Sequence, residues 1–275
     1  MHGNDAESVV RKVRDEYSKI AEQRVSGCCP PCSGEGAPGS ERYGYDTAEI
    51  DTLPQNADMG LGCGAPIPAL DPQPGETVLD LGSGGGIDVF LAAKQVGPTG
   101  HVIGVDMTPS MLELARENAR KGGYANVEFR EGRLESLPVD DGSVDAVTSN
   151  CVINLVPDKR AVFAEIARAL RPGGRFVVSD IVIRGKLPEA LLRELTLGDC
   201  ILTAIAHETY LEAVRASGFC EVTMLRDVAY LEAAGWRTID DVNEESRALL
   251  QRAGVDFEQT KRQIRSITLR AIKPV

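Results

Sequence analysis

Three glycines at alternating positions constrain this chain more than any other feature. Gly82, Gly84 and Gly86 follow the apolar run Thr77–Leu81 directly and precede a helical pattern from Ile87 to about Val96. Glycine there lets the main chain come close to a ligand, and the unpaired N–H groups at the start of the helix point outward toward it. A second apolar run, His101–Val105, ends at Asp106, 20 residues after Gly86. An acidic residue at that offset suits ribose hydroxyls, so the pair predicts an adenosine-bearing ligand. The spacing is Gly-x-Gly-x-Gly rather than the Gly-x-Gly-x-x-Gly of dinucleotide binders, which disfavours a pyrophosphate. Taken singly, a glycine turn can be an empty tight loop, Asp80 and Asp106 can be turn-bonding carboxylates, and Met107 and Leu134 can be core fillers. The order of strand, turn, helix and acidic strand end favours the ligand reading.

The alternation continues downstream. Val127–Phe129, Val144–Ser149 and Arg175–Ser179 read as further strands. Between them lie a helix that Thr108 can cap, Pro109 can open and Gly122-Gly123 can end, and another over Pro157–Leu170 that stops at Gly173-Gly174. Repeated alternation predicts an α/β fold, a doubly wound Rossmann-like sheet that is mostly parallel, because each parallel crossover needs a connecting helix. Helices are expected at Pro188–Leu202 and Glu208–Ser217, and Glu221–Leu225 with Ser266–Ile272 can form an antiparallel edge. Upstream, Ala6–Gln23 has amphipathic helical spacing, Cys28–Ser40 is a loop rich in backbone breakers, and Tyr43–Leu70 suits a cap. The expected organisation is 1–70 as N-terminal helix, cysteine-rich loop and cap, and 71–225 as the core. Residues 226–275 then form a helical appendage around Leu231–Gly254 and a final edge strand.

Charge and hydropathy narrow the partners. Lys and Arg number 30 against 41 Asp and Glu, a formal net charge of -11, and no basic run interrupts it. Such a surface repels nucleic-acid phosphates and anionic lipid, so small-molecule chemistry is expected. No apolar stretch approaches the roughly 18 residues that span a bilayer, and no signal-peptide pattern opens the sequence, so the expected location is the cytoplasm. His2, His101 and His207 read as surface or strand-end residues.

The 7 cysteines are an odd number scattered over a long chain, unlike a secreted disulfide framework. Cys151 follows the fourth strand directly, at the sheet end where doubly wound folds bind ligands. Cys63 sits in the flexible Gly60–Pro66 segment, and Cys200 follows a helix beyond the fifth strand. Each can equally be a small buried packing residue, and spacing alone does not bring the three together. Cys28, Cys29 and Cys32 are close enough to be redox thiols or to sequester zinc or a metalloid, or they are incidental to a loop. Cys220, beside Phe219, reads as core.

Val78-Leu79-Asp80-Leu81-Gly82-Ser83-Gly84-Gly85-Gly86 resembles the first motif of class I S-adenosylmethionine-dependent methyltransferases, and Gly104-Val105-Asp106-Met107 their second. The resemblance implies S-adenosylmethionine as cofactor. Asp80, Gly82, Ser83, Gly84 and Gly86 would surround its methionine part, Asp106 its ribose, and Met107, Leu134 and Glu135 its adenine, with Asn150 a further cofactor-binding residue. The run from Gly44-Tyr45 through Gly62-Cys63-Gly64, with Ser149–Leu155 and Arg171–Gly174, resembles arsenite methyltransferases.

That second resemblance implies trivalent arsenic, delivered as a thiol conjugate and held by Cys63, Cys151 and Cys200. Its lone pair would take the sulfonium methyl without a general base, giving methylated arsenicals and S-adenosylhomocysteine. It also implies that one of Cys28, Cys29 and Cys32 pairs with Cys63 during turnover, with a cellular reductant such as glutathione or thioredoxin as partner. The chain departs from the family pattern at Ile201-Leu202-Thr203-Ala204, where bacterial relatives carry a Gly-Ala pair, and at Ala65, where many carry an amide. Two other functions fit the same residues: a methyltransferase for an organic metabolite, and a thiol-rich metalloid-binding protein without turnover.

Overall fold

The structure, a computed structural model, describes residues 3–23, 39–194, 200–242, 244–252 and 254–275. Cys28, Cys29, Cys32 and His2 lie outside the described residues. Seven strands form one sheet: β1 (Thr77–Leu81), β2 (His101–Asp106), β3 (Val127–Glu131), β4 (Val144–Asn150), β5 (Leu170–Ile183), β6 (Cys220–Ala229) and β7 (Ile264–Ile272), in the order β3-β2-β1-β4-β5-β7-β6. The first five pair in parallel, and β7 runs antiparallel between β5 and β6. The expected mixed sheet with an antiparallel edge is therefore present.

The helices, in chain order, are α1 (Gly3–Gln23), α2 (Thr47–Ile50), α3 (Ile67–Leu70), α4 (Ile87–Val96), α5 (Pro109–Gly122), α6 (Lys159–Ala169), α7 (Glu189–Glu194), α8 (His207–Ala216), α9 (Tyr230–Ala233), α10 (Glu244–Arg252) and α11 (Phe257–Gln263). Apolar residues alternate along the central strands and send neighbours to opposite faces. Val78 and Val102 pack with Val89, Phe90 and Leu112 of α4 and α5. Leu79, Leu81, Ile103 and Val105 share the other core with Val162 and Phe163 of α6 and Tyr210 of α8. Asp158 caps α6 by accepting the Ala161 N–H, whereas the Thr108 side chain makes no capping bond to α5. Instead the Thr108 N–H goes to Asp106 Oδ1 at 2.8 Å.

Three local expectations are corrected. The fifth strand is longer than Arg175–Ser179, because β7 pairs with it out to Ile183. The helix expected over Pro188–Leu202 is described only over Glu189–Glu194, and residues 201–203 are a turn. Cys220 is exposed rather than core: it opens the edge strand β6, with Sγ 3.3 Å from the Ile272 carbonyl. Among the described residues, no helix is long and apolar enough to cross a membrane.

Strand order reverses at β1, whose neighbours are β2 and β4, so the crossovers on its two sides diverge and leave a crevice at the carboxyl ends of the strands. Both halves of the site lie there.

Candidate functional site

The glycine turn follows β1 with Gly82, Gly84 and Gly86 at φ 70°, 49° and 100°, values that side chains rarely adopt. It borders a cleft lined by Asp80, Gly82, Ser83, Gly84, Asp88, Asp106, Met107, Leu134, Glu135, Asn150 and Cys151. Gly84 faces open space, so a side chain there would project into the cleft, and the buried Ser83 hydroxyl has no protein partner. Gly86 does not line the cleft; a Cβ there would meet the Phe90 ring at 2.6 Å, so its role is helix packing. Val10, Val13 and Tyr17 of α1, with Met59, Leu61 and Gly62 of the cap, form the opposite wall.

Three buried carboxyls share this cleft. Burial pushes Asp80 well above the ordinary carboxylate range, and the nearby Asp88 and Asp106 add to the shift. Burial also raises Asp88 to about 6, opposed by hydrogen bonds from Tyr45 and Asn150. Asp106 is raised by burial and held back by the N–H groups of Thr108 and Gly84, the latter at 3.0 Å from Oδ2. Clustered acids that resist ionising suit a cationic ligand, whose charge would return them to the carboxylate form.

Cys151, which lines the cleft, belongs to a buried cluster that also holds Cys63 and Cys200. Sγ of Cys63, Sγ of Cys151 and a carboxylate oxygen of Asp180 all lie within 4.8 Å of one another. Cys200 is in hydrogen-bonding reach of Cys151. All three cysteines are buried, in a cluster with Tyr43, Ile181, Leu191 and Tyr230. The contact with Cys200 lowers the Cys151 pKa, but the contact with Cys63 and burial outweigh it and hold the thiol well above its usual value. Cys151 takes φ 61°, a left-handed conformation that costs a non-glycine residue about 1 kcal/mol or more. Its N–H donates to the Ser179 carbonyl at 2.8 Å, which fixes that turn at the end of β4.

The Cys63 loop is fitted to the sheet by its glycines. A Cβ on Gly62 would meet Asn150 Nδ2 at 2.7 Å, and one on Gly64 would meet Ser179 Cβ at 2.5 Å. Asn150 Oδ1 accepts the N–H groups of Cys63 and Gly64 at 3.0 and 3.3 Å, while Nδ2 donates to the Gly64 carbonyl at 2.9 Å. The Ser266 hydroxyl donates to the Cys63 carbonyl at 2.6 Å. Asn150 therefore lines the cleft and also commits its amide to the thiol loop.

Several site residues escape the motif reading. Asp180 is fully buried, its pKa pushed to about 7 by burial, against the Lys159 charge and the Tyr210 hydroxyl, which donates to it at 3.0 Å. Lys159 Nζ donates to the carbonyls of Asn154, Val156 and Thr203 at 2.9, 3.0 and 3.2 Å. It thus ties the segment after Cys151 to the turn after Cys200. Asp88 accepts a hydrogen bond from Tyr45 across the cap. Asp180 lies inside β5, followed by Ile181, Val182 and Ile183, so unlike Asp106 it does not mark a strand end.

A family model described as a methyltransferase domain matches residues 72–245. The arsenite methyltransferase of Halobacterium salinarum is 50% identical over 196 residues, 67% of this chain and 50% of that protein. The arsenite methyltransferase of Mus musculus is 37% identical over 230 residues, 78% of this chain and 59% of that protein. The chain thus spans little more than half the length of these curated relatives. The crystal structure of an arsenic(III) S-adenosylmethionine methyltransferase from Chlamydomonas reinhardtii superposes with a TM-score of 0.61 at 32% identity, covering 85% of this chain and 72% of that one.

Proposed function

We propose that this chain, which belongs to the methyltransferase-domain family and within it to the arsenite methyltransferases, transfers methyl groups from S-adenosylmethionine to trivalent arsenic held by Cys63, Cys151 and Cys200. The observation that carries the proposal is that Cys151, which lines the same cleft as the glycine turn, touches two thiols distant in sequence, Cys63 and Cys200.

The cleft fits the cofactor on its own features. The unpartnered Ser83 hydroxyl, the open face of Gly84 and the three buried carboxyls match a ligand that carries hydrogen-bonding groups and positive charge. When bound, S-adenosylmethionine supplies an electrophilic sulfonium methyl and leaves as S-adenosylhomocysteine. Asp80, Ser83 and Gly84 would hold its amino-acid portion and Asp106 its ribose, with Met107, Leu134 and Glu135 at the adenine end. The wall contributed by α1 and the cap presents Val10, Val13, Met59 and Leu61 to the cleft.

The thiols bind the other reactant. Arsenous acid exchanges three hydroxyls for three thiols with release of three waters, so the raised pKa of Cys151 is no obstacle. Thiolate sulfur is soft and suits this thiophilic centre, which keeps its lone pair as the nucleophile. The transfer then needs no general base. The protein acts by placing two bound reactants together, an effect that can reach roughly 7 to 11 kcal/mol. Arsenic arriving as a thiol conjugate exchanges those thiols for the three cysteines. Taking the methyl with its lone pair leaves arsenic formally pentavalent. Two cysteine thiols return it to the trivalent state by forming a disulfide, for which Cys28, Cys29 and Cys32 are the redox candidates. A cellular thiol reductant such as glutathione or thioredoxin then reduces that disulfide.

The test is speciation of arsenic after incubation with arsenite, S-adenosylmethionine and a thiol reductant. Methylated arsenic is expected from the native chain. Cys151→Ser should abolish it while S-adenosylhomocysteine still binds; methylation that survives this substitution overturns the assignment.

A further inference from the structure

Asp180 is out of place in a site built for arsenic alone. Trivalent arsenic is complete with three sulfurs and its lone pair, and it has no need of a carboxylate. Yet Asp180, Cys63 and Cys151 are all buried with their ligand atoms inside 4.8 Å, and Cys200 adjoins Cys151. Sulfurs with one carboxylate oxygen are a donor set for a tetrahedral, borderline-soft divalent ion.

The carboxylate is also braced as the ligands of such an ion are. The Tyr210 hydroxyl donates to Oδ2 at 3.0 Å and the Ile181 N–H to Oδ1 at 3.1 Å. These bonds, with a third from the Asn154 N–H, fix its orientation and leave the carboxylate one further lone-pair site. The buried Lys159 ammonium acts on Asp180 and offsets part of the negative charge that thiolates would bring.

We infer that Cys63, Cys151, Asp180 and Cys200 also form a binding site for a thiophilic divalent cation of the zinc class, which competes there with trivalent arsenic. On binding, the thiols release their protons to solvent, metal–sulfur and metal–oxygen bonds form, and nothing changes oxidation state. Zinc offers no lone pair to a methyl group, so the loaded site is inactive. The competition rests on the proposed function above; the binding does not.

The probe is Co2+ alone, added without oxygen to the full chain carrying Cys28→Ser, Cys29→Ser and Cys32→Ser. One equivalent should produce a thiolate-to-cobalt charge-transfer band that Zn2+ bleaches. Even outer-shell partners of a metal are worth about 10-fold or more in affinity, so Asp180→Asn should weaken Co2+ by at least that factor while arsenite still binds. Cys63→Ser should remove both. The absence of a cobalt–thiolate band in a chain that binds arsenite overturns the inference, as do equal losses of both ligands in Asp180→Asn. Should that variant lose its fold, X-ray absorption of the zinc-loaded parent decides: a first shell lacking either sulfur or oxygen overturns it. Cobalt binding without arsenite binding or methylation overturns the proposed function alone.

Discussion

The side-chain oxygen of Asn150 accepts the main-chain N–H of Cys63 at 3.0 Å, so a residue facing the cofactor cleft also fixes the loop that presents a thiol. The same amide donates to the Gly64 carbonyl at 2.9 Å and to the Tyr45 hydroxyl at 3.0 Å. Asn150→Asp keeps the acceptor but turns the donor into an acceptor facing Gly64 and Asp88. Leaving a buried polar group unmet costs about 1 to 3 kcal/mol, so arsenite affinity should fall by about 10-fold or more. Titration with arsenite, beside a urea melt that reads the fold, checks this. A folded variant with native affinity would show that the loop holds Cys63 without the amide.

Gly64 offers a sharper steric test. Its Cα packs so closely on β5 that an added Cβ would lie 2.5 Å from Ser179 Cβ. Gly64→Ala should displace the loop, cost about 1 to 3 kcal/mol of stability as overpacking does, and depress methylation more than S-adenosylhomocysteine binding. Adding Ser179→Gly removes the obstructing atoms and should recover part of the activity. No recovery in the double variant would place the defect elsewhere.

The alternation of apolar runs, glycine turns and capped helices made the parallel core legible, because each of those signals is local. The acid at the end of β2 was legible for the same reason. The convergence of Cys63, Cys151 and Cys200 was not, since it depends on a loop 87 residues upstream being held by Asn150. Lys159 looks in sequence like an ordinary solvent-facing helix residue; only the fold turns its ammonium onto three carbonyls. Cys220 misled because an edge strand exposes alternate positions, which a neighbouring Phe219 in the core does not reveal.

Lys159 bridges the two thiol-bearing segments, and its removal should loosen Cys200 before it disturbs the cofactor cleft. Lys159→Met leaves the carbonyls of Asn154, Val156 and Thr203 without their donor, and hydrogen bonds to a charged group are worth about 1.5 to 3 kcal/mol. Relief of the buried charge returns part of that. Arsenite affinity should drop, and Cys200, buried in the native fold, should react faster with an alkylating reagent. Mass spectrometry of the labelled peptides reads the rate. Native protection of Cys200 in the folded variant would dismiss the bridge.

Asp180 should make the ligand-free protein less stable as pH rises toward neutrality. Burial lifts its pKa from 3.8 to about 7, and Asp88 is lifted to about 6. Cys151 and Tyr210, which face Asp180, are pushed further up and away from this range. Below about pH 4 the carboxyls are protonated in both folded and unfolded chains, and their stabilising contribution is complete. Above it the unfolded chain loses protons that the folded chain keeps, so stability falls until pH passes the folded values. The slope is at most about 1.4 kcal/mol per pH unit for each group. Urea unfolding between about pH 5 and pH 7 should show this decline in the native chain and a shallower one in Asp180→Asn, whose amide carries no charge to bury. Parallel slopes in the two chains would mean that Asp180 ionises in the fold as readily as in water.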